Sequence, residues 1–136
     1  MPSVDWSLLC DYYLIDQAGR LSLLGIFDRL LVPQLPVVYP YLHVVTRWRL
    51  GDVHQFRLET RLWTPTEQVL ATTGELAVGP VPHDQHLTIN SFAGLTFDRA
   101  GQYLVELLAD GETARFYPLQ VAMQPAPPGW PPPAPR

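Results

Sequence analysis

"YLHVVTRWRLGDVHQFRLETRLW", residues 41–63, carries apolar side chains at Leu42, Val44, Trp48 and Leu50, then at Phe56, Leu58 and Leu62. Between them stand His43, Arg47, Arg49, Arg57, Glu59 and Arg61. Alternation at every second position is the period of a strand with one wet face, not of a helix. The turn pair Gly51-Asp52 divides the stretch into two strands, which invites a hairpin. A two-residue loop would set Trp48 opposite Gln55 and throw the two apolar sets, the second beginning at His54, onto opposite faces. A three-residue loop, Gly51 to Val53, pairs Trp48 with Phe56, Thr46 with Leu58 and Leu42 with Leu62. A slip of one residue exchanges every side chain between core and solvent, so the second register is expected. It places Arg47 opposite Arg57, and His43 opposite Arg61, on the outer surface.

Strand-like runs recur outward from this centre. They are Trp6 to Ile15, Leu21 to Val32, Val69 to Val78, His86 to Ala93, Tyr103 to Ala109 and Thr113 to Ala122, bounded by turn sequences such as "DQAGR", "TPTEQ", "GPVPHDQ" and "DG". Eight short strands without an amphipathic helix predict an all-β fold, an antiparallel immunoglobulin-like β-sandwich of about eight strands, with a closed barrel as the rival. The sandwich is expected to occupy residues 1–123. Residues 124–136 form a different region: "PAPPGWPPPAPR" has proline at seven of its twelve positions. Proline offers no N–H to a ladder, so a disordered, Pro-rich, polyproline-like tail is expected there.

Composition narrows the function classes. The chain has 136 residues, 47% hydrophobic and 16% charged, which suits one folded domain. All nine basic residues are arginine, and the net charge of −4 provides no attraction to nucleic acid or to an anionic membrane surface. Neither partner is expected. One cysteine, Cys10, excludes an internal disulfide, and no apolar run approaches the roughly 20 residues of a membrane helix. The opening "MPSVDWSLLCDYY" lacks a basic, then apolar, leader pattern, so a cytoplasmic location is expected.

Three groups of residues are candidates for a site. In the expected hairpin, Arg47, Arg49, Arg57 and Arg61 line one stripe with Glu59 as its only acid. Like charges facing across strands are unfavourable, so an anionic ligand or acidic partner held by the arginine forks would relieve them. Pairing with Glu59, Glu75 and water on an ordinary solvated face is the simpler account. A second group is acidic: if the strands run up and down in order, Asp16, Asp52, Asp84 and Asp110 fall at one end, with His83 and His86 beside Asp84. Loop carboxylates are what Ca²⁺ requires, but each of these aspartates also sits in a turn sequence that explains it, and turn chemistry is the preferred reading. The third is Trp130 within the prolines, an anchor for an aromatic groove if the tail is a ligand.

Catalytic patterns are missing: there is no G-x-S-x-G elbow, no H-E-x-x-H and no glycine-rich phosphate loop, and no cofactor is expected. Two charged positions interrupt apolar runs. Asp11 is expected on the wet side of a first strand whose other face holds Trp6, Leu8, Cys10, Tyr12 and Leu14. Asp28-Arg29 is harder, because neither phase of its strand keeps both charges in water; a bulge at Gly25 or a buried ion pair would resolve it.

"CDYYLIDQAGRLSLLGIFDRLLVP", followed by "YP" and later by "FDRAGQYLVELLADGE", resembles a family of small uncharacterised bacterial β-sandwich proteins. The likeness covers Trp6 to Ala122 and brings no catalytic residue or cofactor. "AGQYLVELLADGE" is also similar to the penultimate hairpin of immunoglobulin-like sandwiches. The function expected is therefore a non-catalytic binding or protein-interaction module presenting a sheet face, with a protein or a second copy of the chain as partner. The alternative is a small enzyme or ligand-binding protein whose site lies on loops at one end of the sandwich.

Overall fold

Trp48 and Phe56 do meet, with ring centroids 4.9 Å apart, but they meet across the middle of the protein and not side by side in one sheet. The computed structural model describes residues 1–124. Its strands are β1 (Ser3–Ile15), β2 (Leu21–Phe27), β3 (Arg29–Val32), β4 (Val37–Arg49) and β5 (Phe56–Trp63). There follow β6 (Val69–Thr72), β7 (Leu76–Val78), β8 (Gln85–Phe97), β9 (Gly101–Ala109) and β10 (Glu112–Met123). One sheet has the order β2-β1-β4-β8; the other runs β3-β10-β9-β5-β6, with β7 also pairing β5.

The expected hairpin is thus overturned. β4 and β5 belong to different sheets, and the Gly51 turn carries the chain from one layer to the other. The alternation was nevertheless correct: Leu42, Val44, Trp48, Leu50, Phe56, Leu58 and Leu62 are all buried in one core, whereas His54 is exposed. Apolar residues facing across a layer and apolar residues paired within a sheet obey the same period of two, so the pattern alone could not separate them.

Two sheets packed face to face make a sandwich, not a barrel, and ten strands replace the eight expected. The expected run from Leu21 to Val32 is broken at Asp28. Its first half is β2, antiparallel to β1, and its second half is β3, which lies parallel to β10 from Gln120↔Arg29 to Met123↔Val32. This crossing between layers keeps both Asp28 and Arg29 exposed, while the Asp28 carbonyl accepts the amide of Gln120 at 3.2 Å. The Cys10↔Ile26 and Tyr12↔Leu24 pairings keep one offset on either side of Gly25, so no residue is inserted there. The run from Val69 to Val78 likewise breaks into β6 and β7.

A register irregularity between Val4 and Trp6 shifts the first strand, which from there takes the opposite phase to the one expected. Val4 and Leu9 enter the core, Trp6, Tyr12 and Leu14 are exposed and Cys10 is buried, and Asp11 is half-buried. Polar groups inside the sandwich are paired. Ser7 Oγ lies 3.0 Å from Thr46 Oγ1 and 2.9 Å from the Tyr117 hydroxyl. Thr60 Oγ1 donates to Asn90 Oδ1 at 3.0 Å, and Trp48 Nε1 to Thr88 Oγ1 at 3.0 Å. Tyr103, fully buried, donates its hydroxyl to the Arg99 carbonyl at 2.9 Å, the corner geometry that pins the start of a sandwich strand. Among the described residues no buried side-chain polar atom lacks a partner.

Candidate functional site

The pairing of β1 changes along its length. From Ser3↔Arg49 to Cys10↔His43 it is flanked by β4, but the ladder to β4 ends there. β2 continues with β1 out to Ile15↔Leu21. Beyond Cys10, therefore, β1 and β2 pair only with each other among the described residues, and they form a two-stranded arm.

The sequence closes the tip of this arm. Asp16 Oδ1 accepts the Arg20 amide at 2.8 Å, Asp16 Oδ2 accepts Arg20 Nε at 2.8 Å, and the Asp16 carbonyl accepts the Gly19 amide at 2.9 Å. The Arg20 backbone amide, and then its guanidinium, hold the Asp16 carboxyl below the usual carboxylate range. At the root, the Tyr39 hydroxyl of β4 donates to Asp11 Oδ1. Burial, reinforced by the Asp11 carboxylate, pushes the Tyr39 hydroxyl well above its ordinary value. Gly25 stands at a φ of 68°, and a Cβ there would come within 2.8 Å of Asp11 Oδ2. Only glycine suits both the conformation and the space.

Between tip and root the arm is apolar and bare. Tyr12 is 65% exposed, Leu14 61%, Ile15 60%, Leu24 51% and Tyr13 38%. Together with Ile26 at the root, they present on the order of 500 Å² of apolar surface, at the upper end of what a lone chain shows. Adjacent residues such as Leu14 and Ile15 point to opposite faces of a strand, so both faces of the arm are apolar. A continuous apolar run is the signature of a strand covered on both sides. A two-stranded ribbon without such cover is at best marginally stable in water.

The other candidate residues are distributed differently from expectation. Arg47 and Arg49 lie on the outer side of the four-stranded sheet, where Asp5 sits 3.8 Å from Arg47 Nε and 3.2 Å from Arg49 Nε. Arg47 also donates to Gln85, and Arg49 lies 3.6 Å from Asp84. Arg57 and Arg61 are on the opposite outer surface of the protein. Arg57 pairs with Ala77, not with Arg47, and Arg61 pairs with Glu106 and Thr72, not with His43. The single arginine stripe does not exist, because its two halves were assigned to one sheet.

On the six-stranded sheet a polar network takes its place. Glu59 accepts Arg61 Nε and Thr72 Oγ1, each at 2.7 Å. Hydrogen bonding from Arg61, then from Thr72, draws the Glu59 carboxyl below its ordinary value. Glu106 accepts Trp63 Nε1 at 2.9 Å and the Thr113 hydroxyl, and lies 3.8 Å from Arg61. This face neutralises itself.

Of the four loop aspartates, Asp52, Asp84 and Asp110 lie at one end and Asp16 at the other, as the antiparallel order of β1, β4, β8, β5 and β9 requires. Asp84 accepts the Gly51 amide at 2.7 Å, and Asp110 the Arg57 amide at 2.9 Å; Asp110-Gly111 forms the β9–β10 turn. Among the described residues no three His, Cys, Asp or Glu side chains converge to hold a metal. His83, Asp84 and His86 share a cleft of about 500 Å³ with Arg47, Gln85 and Leu87. Cys10 is fully buried, and that burial, with the adjacent Asp11, pushes its thiol up, away from the thiolate form that reacts. Trp130 and the rest of the Pro-rich tail lie outside the described residues.

The arm was the feature that strand-by-strand reading missed. Its signal was present in "YYLI" and "LSLL" (residues 12–15 and 21–24), where alternation fails on both strands of one hairpin.

By architecture the protein is an all-β sandwich of two packed sheets. The chain belongs to a family of unknown function, DUF6941, whose model matches residues 5–122. That match spans the sandwich and includes the whole arm. No curated protein matches the chain.

Proposed function

We propose that this protein is a non-catalytic protein-interaction module that docks its partner on the β1–β2 arm. The observation that carries the reading is the arm's exposed apolar surface on both faces, with Tyr12, Leu14, Ile15 and Leu24 each more than half exposed. Removing that surface from water is worth about 25 cal/mol per Å², on the order of 10 kcal/mol before the costs of association. On the other sheet Glu59, Arg61 and Glu106 already satisfy one another, and among the exposed large apolar residues of its outer face only Phe116 matches Tyr12, Leu14 and Ile15 in exposure.

The test uses the full chain as bait in an extract of its native host, beside a Tyr12→Ser/Leu24→Ser bait. A captured protein is then recombined with pure chain and the complex mapped by hydrogen exchange. Protection across residues 12–24, lost together with capture in the double variant, is the expected result. A partner that protects the Glu59–Glu106 face or the His83–His86 cleft and leaves the arm untouched overturns the reading.

A further inference from the structure

We infer that the occupant of the arm is the arm of a second copy of this chain, joined through antiparallel pairing of β2 with its counterpart. The inference rests on the reading of the arm as a docking surface and names what docks there. β2 is the edge strand of its sheet, and its sequence, Leu21–Phe27, contains no charged residue and no proline. Charges and prolines are the devices by which natural edges refuse another strand.

Charge decides between a second copy and an unrelated protein. Hetero-partners are selected and steered by complementary charges. The arm between Tyr12 and Leu24 carries only Asp16 and Arg20, and they are bonded to each other at its tip. A neutral, apolar edge is complementary to itself, and a two-fold axis perpendicular to the sheet sets β2 antiparallel to its own counterpart, edge to edge. The pairing converts two marginal ribbons into a four-stranded sheet with strand order β1-β2-β2-β1. Membership of a sheet of three or more strands with an apolar face is what a lone ribbon lacks for stability in water. Cross-strand contacts between the two β2 strands cover part of the apolar surface that each arm exposes.

Sedimentation of the full chain over a hundred-fold concentration range, combined with hydrogen exchange of β2, tests this. Twice the chain mass is expected, with β2 amides whose protection falls at least ten-fold on dilution. Leu24→Lys, at an exposed position, should give a folded monomer with an unchanged circular dichroism spectrum and unprotected β2 amides. Ser91→Lys, on the opposite edge strand β8, should remain a dimer. A dimer broken by Ser91→Lys but not by Leu24→Lys assigns pairing to the other edge and overturns the inference. A monomer at every concentration whose arm still becomes protected on binding a different protein overturns it too, while leaving the proposed function standing. A monomer whose arm is protected only while residues 125–136 are present assigns the arm to the chain's own tail and likewise overturns the inference. If neither a second copy, another protein nor the tail protects the arm, both readings fall.

Discussion

Two hairpins in this protein, each turned through an aspartate and a glycine, reach opposite fates. β9–β10 turns at Asp110-Gly111 and lies in the middle of the six-stranded sheet, with Tyr103, Val105, Leu107, Leu119 and Val121 buried. Its alternate positions include Gln102, Glu106 and Thr113, which meet water or the polar network. β1–β2 turns at Asp16–Arg20 and leaves the sandwich with apolar residues on both faces. The first hairpin has one dry face and one wet one, and a single sheet packed on its inner side suffices. The second has two dry faces, and beyond Cys10 this chain, over the described residues, covers them only in part, through His43 against Tyr13 and Tyr39 against Asp11. Hydrophobic patterning thus reports how many layers a hairpin expects to touch, including layers supplied by another molecule.

The sharpest way to break this comparison is to truncate equivalent leucines. Leu107→Ala, in the packed hairpin, should cost about 2–5 kcal/mol in chemical denaturation because it opens a cavity in a close-packed core. Equal losses for Leu107→Ala and for a leucine of the arm would erase the distinction between the hairpins. The packed hairpin also has an alkaline signature. Burial pushes the Tyr117 hydroxyl up to about 12 from its ordinary 10. A folded value above the unfolded one means that the native state holds its proton longer. Stability is then complete below about pH 10 and falls as pH rises towards about 12, on the order of 2 kcal/mol for this group. Tyr117→Phe should flatten that part of a pH–stability curve; an unchanged slope would detach Tyr117 from it.

In the arm, Gly25→Ala forces a side chain into a positive φ and against Asp11, at a cost of about 1–3 kcal/mol. Because the arm's strands pair only with each other beyond Cys10, the expected readout is local: amide exchange through residues 12–24 accelerates at least five-fold while the core amides of β9 are unaffected. Acceleration throughout the sandwich would show that the arm is not an independent unit. The smallest effect is expected from Leu14→Ala. Its side chain is mostly in water, so the unfolding free energy of dilute protein should fall by less than about 0.5 kcal/mol. A larger loss would mean that the arm packs against its own chain in solution.

Much of the core was legible in the order of the residues. Leu42, Val44, Trp48, Leu50, Phe56, Leu58 and Leu62 were identified from alternation alone, because burial of one strand face depends only on a residue's own position along the pleat. The arginine stripe failed because it required knowledge of which strand lies beside which. Arg47 and Arg57 each face outward as expected, but outward from different sheets. Asp28-Arg29 resisted a single-strand reading for the same reason: two strands in two layers had been treated as one. The arm went unnoticed because an apolar run looks like core until the neighbours that would bury it are found elsewhere.

What the sequence determined by itself, then, is local: strands, turn positions, and the side of each central strand that turns inward. These follow from backbone geometry and from the reluctance of apolar groups to stay in water. Only the tertiary structure decided which strands pair, where the chain passes between layers, and that β1–β2 outruns its support. Those choices depend on contacts between residues far apart in sequence, where many wirings satisfy the same alternation and packing of the whole chain selects one.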